Sequence, residues 1–104
     1  MVLDLARRIH EQFDALVERV VVFGSRARGD AGEESDIDML VVLRVAAAEE
    51  LAAERDAWKL ATAAMSDRRW VPLSLVVLAA DRFQEELRRE RRFALDVERE
   101  GIRL

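Results

Sequence analysis

Two short apolar runs constrain this chain more than any other feature: Val20-Val21-Val22-Phe23 and Ile37 to Leu43. The first is β-branched and apolar and is stopped by Gly24-Ser25, which predicts a short buried strand, and the second predicts another. Buried strands need layers to cover them, and the flanking sequence supplies these. Val2, Leu5, Ala6, Ile9, Phe13 and Leu16 recur at helical spacing, with Arg7, Arg8, Glu11 and Asp14 opposite, so an amphipathic helix is predicted over about 2–18. Residues 47–67 are rich in Ala, Glu and Leu and predict a long helix, with Leu51, Trp58 and Met65 on one stripe as core or partner contacts. Trp70 to Leu78 reads as a third strand, and Pro72 makes it an edge strand or marks its start. Asp81 is the expected N-cap of a helix through about Arg92, which continues over 94–100 after a bend and is ended by Gly101. The order α-β-turn-β-α-β-α predicts an α/β (α+β) fold, a small mixed β-sheet with helices packed mainly on one face. With 104 residues, a single domain over 1–104 is expected.

Composition removes several kinds of chemistry. The absence of Cys excludes disulfides, thiolate metal sites and Cys nucleophiles, and a single histidine, His10, excludes a multi-histidine metal site. A bound metal would need oxygen ligands, which points to magnesium, manganese or calcium. No apolar run approaches the roughly 18 residues of a membrane span, and the charged N-terminus is no signal peptide, so a cytoplasmic protein is expected. With a net charge of −4 and pI about 5.1, direct nucleic-acid binding is not expected.

The chemistry is concentrated between Val20 and Leu43. Asp36 and Asp38 stand two apart on a strand, so their side chains share a face with Cα atoms roughly 6.5 Å apart. Carboxylates this close repel each other unless a cation lies between them, a geometry that suits one Mg²⁺ or a pair of ions. Upstream, Gly24 permits close backbone approach and Ser25 offers a hydroxyl and an N–H. The following N–H groups can form an anion nest, and Arg26 and Arg28 add guanidinium groups suited to phosphate. A phosphate cradle beside a carboxylate pair is what nucleotidyl or phosphoryl transfer requires.

The run G-S-R-A-R-G, with ten residues between Ser25 and Asp36 and then S-D-I-D-M-L-V-V, resembles the minimal nucleotidyltransferase (MNT) domains of the DNA polymerase β-type superfamily. Leu75 to Leu78 followed by Asp81-Arg82-Phe83, and Glu100 to Leu104, resemble that family's third-strand passage and C-terminal ending. The resemblance implies binding of ATP or another NTP with Mg²⁺ or Mn²⁺, and transfer of its NMP moiety, with AMP from ATP the expected case. It implies Gly24 and Ser25 at the triphosphate and Asp36 and Asp38 as metal ligands. It also implies a small helical HEPN-type partner, a ribonuclease toxin, against which such a protein acts as antitoxin. A homo- or hetero-oligomer is open. With no Tyr, the chain cannot modify itself on that residue type.

One position departs from the family. A third carboxylate is usual near where Ser74 lies, and serine neither ligates a metal well nor takes a proton from an attacking hydroxyl at neutral pH. Asp30, Glu33, Glu34 and Asp67 could reach in from loops, whereas Asp81 is too far along the chain. The alternative function is therefore a catalytically weak or inactive antitoxin of the same fold that acts by binding its partner. His10 reads as a solvated residue, Trp70 as a packing residue, and Arg88, Arg89, Arg91 and Arg92 as a basic helix face open to an acidic partner or RNA.

Overall fold

The computed structural model describes residues 2–24, 36–65 and 72–104. Trp70, where the third strand is expected to open, and residues 66–67, the expected end of the long helix, lie outside these residues. Helix α1 (Val2–Phe13) leads through a 3-10 turn (Asp14–Leu16) into β1 (Val17–Phe23). Strand β2 (Ile37–Leu43) precedes a second 3-10 turn (Ala47–Glu49) and helix α2 (Glu50–Met65). Strand β3 (Leu73–Ala79) passes directly into α3 (Ala80–Arg88), followed by α4 (Arg92–Glu100) and a short β4 (Ile102–Arg103). The sheet order is β3-β2-β1-β4, with β2 and β3 parallel and the other pairs antiparallel.

Strand β2 has the predicted bounds and lies at the centre of the core. Met39, Val41 and Leu43 face one way, against Leu5, Ala6 and Ile9 of α1 and Ala53, Ala57, Ala61 and Ala64 of α2. Leu40 and Val42 face the other way, with Val21, Leu78, Phe83 of α3 and Ala94 and Val97 of α4. The two longer helices thus share one face and two nine-residue helices cover the other, so the helices do not pack mainly on one face as expected, because Leu40, Val42 and Leu78 leave the second face apolar as well. A strand apolar on both sides is what such a three-layer arrangement demands.

Several boundaries are corrected. The first helix stops at Phe13 rather than about 18, because Asp14 adopts a positive φ of 47° and the chain then joins the sheet, Val17 pairing with Leu43. Arg44 fixes this corner: its guanidinium donates to the carbonyls of Ala15 (3.1 Å) and Val17 (3.0 Å), and its N–H donates to that of Leu16 (2.7 Å). The long helix begins as a 3-10 turn and becomes α-helical at Glu50. Within its stripe Leu51 and Trp58 are exposed, and the alanines carry the core contact. Asp81 is not an N-cap. The helix starts at Ala80 with Ala79 as its N-cap, two residues earlier, and Glu50 of α2 accepts the Ala79 N–H at 2.9 Å and pairs with Arg82.

Helix α3 also ends earlier than predicted, at Arg88 rather than about Arg92, in a Schellman turn. The N–H of Arg91 donates to Glu86 O and that of Glu90 to Leu87 O, both at 3.0 Å, with Glu90 at φ 56°. The helix following the bend starts at Arg92, and Gly101 ends it as expected but in extended conformation. There a Cβ would meet Val21 Cγ1 and Val97 O, each at 2.4 Å, so glycine is needed for close approach and not for its φ. A non-glycine residue in the left-handed region costs on the order of 1–3 kcal/mol. After allowing for the greater unfolded freedom of glycine, Glu90→Gly is expected to stabilise by about 1 kcal/mol. Thermal melting should show a midpoint about 4–8 °C higher.

Candidate active site

Asp36 lies at the entry to β2 and is exposed, while Asp38, two residues on, is half-buried. By strand alternation Asp38 shares a side of the sheet with Leu40 and Val42. The entry is fixed by a hydrogen bond from the Ile37 N–H to the Pro72 carbonyl, at 2.9 Å. Pro72 thus stands immediately before the edge strand β3 and tethers β2 through the one backbone group it retains.

Gly24 closes the site from the β1 side. Phe23 is the register partner of Asp38, and Gly24 follows with φ 77°. A Cβ on Gly24 would stand 2.5 Å from Asp38 Oδ2 and 3.4 Å from Asp38 Cγ. The missing side chain is therefore the space that the Asp38 carboxylate occupies, a contact the sequence does not reveal beyond the presence of a glycine after a strand. Burial first, and then the neighbouring Asp36 carboxylate, push the Asp38 carboxyl above its ordinary pKa. Gly24→Ala is expected to turn that carboxylate aside and to force a left-handed alanine, costing roughly 1–2 kcal/mol of stability. Melting and magnesium-nucleotide titration should both register the loss.

On the third side, the parallel register places Ser74 directly beside Asp38. Ser74 is exposed and, with Val76 and Leu78, belongs to the same side of the sheet as Asp38. Serine thus stands where a strand-borne third carboxylate would stand. Among the described residues no group of three or more metal-ligating side chains forms.

The donors present suit a hard divalent cation: carboxylate oxygens, one of them half-buried beside a like charge, with a cradle in which a Cβ would collide. Ser25, Arg26, Arg28, Asp30, Glu33, Glu34 and Asp67 lie outside the described residues. Asp81 is at the opposite end of the sheet, lining a cleft with Glu18, Arg44, Val45, Ala46 and Ala80. His10 is exposed, its Nε2 at 3.2 Å from Leu104 O. No described helix is long and apolar enough to cross a membrane.

The chain belongs to the nucleotidyltransferase domain family, whose model matches residues 3–100. A "putative protein adenylyltransferase" of Methanocaldococcus jannaschii is 54% identical over 28 residues, a stretch that spans 27% of this chain and 28% of that protein. The fold is similar to that of solved nucleotidyltransferase structures at low identity. A structure described as a toxin-antitoxin with AMP-PNP is 15% identical with TM-score 0.55, over 99% of this chain and 72% of that one. One of the toxin-antitoxin MntA-HpeT has TM-score 0.57 at 16% identity, over 94% and 68% of the two chains. A structure described as "a putative nucleotidyltransferase from Sulfolobus solfataricus" has TM-score 0.53 at 23% identity, over 97% and 77%.

Proposed function

We propose that this domain is an Mg²⁺-dependent nucleotidyltransferase that moves AMP from ATP to a hydroxyl of a protein partner, as antitoxin to a small helical HEPN-type ribonuclease toxin in the cytoplasm. The observation that carries the proposal is the meeting of Gly24 with the Asp38 carboxylate at the entry of β2, beside Asp36. The adenylyltransferase relative supports AMP as the group moved, and the fold shared with toxin-antitoxin proteins supports a protein partner.

Asp36 and Asp38 would hold the metal, which when bound supplies positive charge against the phosphates and polarises them. Gly24 leaves the Asp38 carboxylate its position, and Ser25, Arg26 and Arg28 would receive the triphosphate. The acceptor oxygen bonds to the α-phosphorus, the bond from that phosphorus to the β-phosphate oxygen breaks, pyrophosphate leaves with the electron pair, and the hydroxyl proton passes to solvent.

The register of Ser74 with Asp38 favours a second reading in which catalysis is weak and the domain neutralises its partner chiefly by contact. The two readings share the first test, calorimetric titration of ATP with and without Mg²⁺. Wild type should bind only with metal, and Asp36→Asn with Asp38→Asn should lose that dependence. Equal affinity in all cases would remove the metal site from both readings.

A further inference from the structure

Two clefts meet at the end of the sheet opposite the aspartates. One is an apolar groove of about 350 Å³ between the turn after α1 and the first turns of α2. Phe13, Leu16, Val45, Ala48, Ala52 and Ala53 wall it, and its polar lining is Glu49 and Asp56. Alanines stand where larger side chains would fill it, and Leu16 is left 43% exposed. The other cleft, of about 500 Å³, is lined by Glu18, Arg44, Ala46, Ala80 and Asp81, and Val45 lines both. The two form one trough.

Glu18 is its unusual member. Val17 pairs with Leu43 and Arg19 with Val42, so Glu18 is the extra residue of a β-bulge. A bulge re-aims a side chain, and this one brings Glu18 into a cleft with the first residues of α3. Its Oε2 is buried and accepts no hydrogen bond among the described residues. A buried carboxylate oxygen without a donor is costly to the chain alone and is satisfied by a donor from outside. Arg44 lines the same cleft but directs its Nη1 to the carbonyls of Ala15 and Val17.

The lining is acidic: Glu18, Glu49, Asp56 and Asp81 stand against Arg44. Glu49 uses one oxygen on the Ala46 N–H at 3.0 Å, and Asp56 pairs loosely with Lys59 at 3.9 Å, an exposed pair that exchanges readily. Apolar walls set among carboxylates complement a segment that carries both apolar and cationic side chains, and they repel nucleic acid and anionic lipid.

We infer that this trough docks a basic amphipathic segment of the protein partner, with apolar side chains in the alanine groove and a lysine or arginine on Glu18. The inference rests on the proposed protein partner and is independent of the transfer step. Arg44 stands roughly 20 Å along the chain of β2 from Asp38, so a partner held here leaves the aspartate end open.

The test is fluorescence anisotropy of a labelled amphipathic leucine–lysine peptide and of an oligolysine of equal charge. Wild type should bind the first at least about tenfold more tightly, because buried leucines add to the attraction of charge. Ala52→Arg fills the groove with a cation from an exposed helical position, and Glu18→Gln removes the buried charge. Each should weaken binding at least about tenfold. Glu90→Gln makes the same charge change on the exposed turn after α3 and should leave binding unchanged. Glu18→Gln should also melt no lower than wild type, since its Oε2 makes no hydrogen bond in the fold. Equal affinity for the two peptides, wild-type affinity in either trough variant, a loss in Glu90→Gln, or a lower midpoint for Glu18→Gln would overturn the inference. So would a dimer in sedimentation that Ala52→Arg dissolves, which would give the trough to a second copy of the chain. Magnesium-ATP titration of the same proteins separates the two readings: wild type that fails to bind ATP sinks the proposed function, whereas intact ATP binding without peptide binding sinks only the docking trough.

Discussion

Ser74→Asp is expected to speed nucleotidyl transfer by about 10²–10⁴-fold, the usual contribution of a positioned general base. The expectation follows from the β2–β3 register. Ser74 is paired with Asp38 across a parallel ladder and lies on the same side of the sheet, so a carboxylate there enters the site without any backbone shift. Wild type should release pyrophosphate from magnesium-ATP slowly, and the variant rapidly, whether the acceptor is the partner hydroxyl or water. The added charge should also tighten metal binding and lower the stability of the metal-free fold, because a third carboxylate joins two that already repel. Rapid turnover by wild type that the aspartate does not increase would show that another acid already fills the place. No turnover by either protein, with ATP and partner still bound, would select the antitoxin that acts by contact.

The double variant Asp36→Asn with Asp38→Asn should behave in the opposite sense. Without ligand, its thermal midpoint should match or exceed that of wild type, since neutral amides remove a repulsion that folding creates. With saturating Mg²⁺ and ATP, wild type should gain roughly 2–3 kcal/mol at about a hundred times the dissociation constant, and the variant should gain nothing. The pH dependence gives an independent check. The carboxyl of Asp38 is raised in the fold, so the folded state holds its proton more tightly than the unfolded chain does. Metal-free wild type should therefore gain stability relative to the variant as pH falls through the folded pKa of Asp38 toward the ordinary aspartate value. Asp4 has the opposite sign: hydrogen bonds from Arg7 and then Arg8 lower it, and its contribution is lost as pH falls. Asp4 is present in both proteins, so it cancels in the difference. A large fall in metal-free stability for the variant would mean that the aspartates serve the fold itself.

Strand β2 was legible in the sequence to the residue, because a run apolar on both faces is specified from both sides at once and leaves no freedom of register. The shared face of Asp36 and Asp38 followed from alternation along one strand, whereas the interest of Ser74 came from the family resemblance alone and its pairing with Asp38 from the register. Where the prediction failed, a tertiary contact had overridden a local preference. The helical pattern of α1 runs on to Leu16, yet Arg44, far along the chain, draws residues 15–17 into the sheet corner. Asp81 has the chemistry of a cap, but Glu50 from another helix takes that role. Strand β4 has two residues and no pattern of its own, and it exists because β1 offers a free edge. The contact between Gly24 and Asp38 joins two strands, and spacing along one chain carries no information about it.

Glu50 has a wider consequence. It begins α2, which covers one face of the sheet, and it accepts the Ala79 N–H where α3 begins to cover the other. One carboxylate thus ties α2 to the end of β3 through Ala79 and to α3 through Arg82, joining both outer layers around the end of the sheet. Neither layer can peel away without orphaning a polar group of the other, so amides in α2 and α3 should lose their protection against exchange in the same opening event rather than in two.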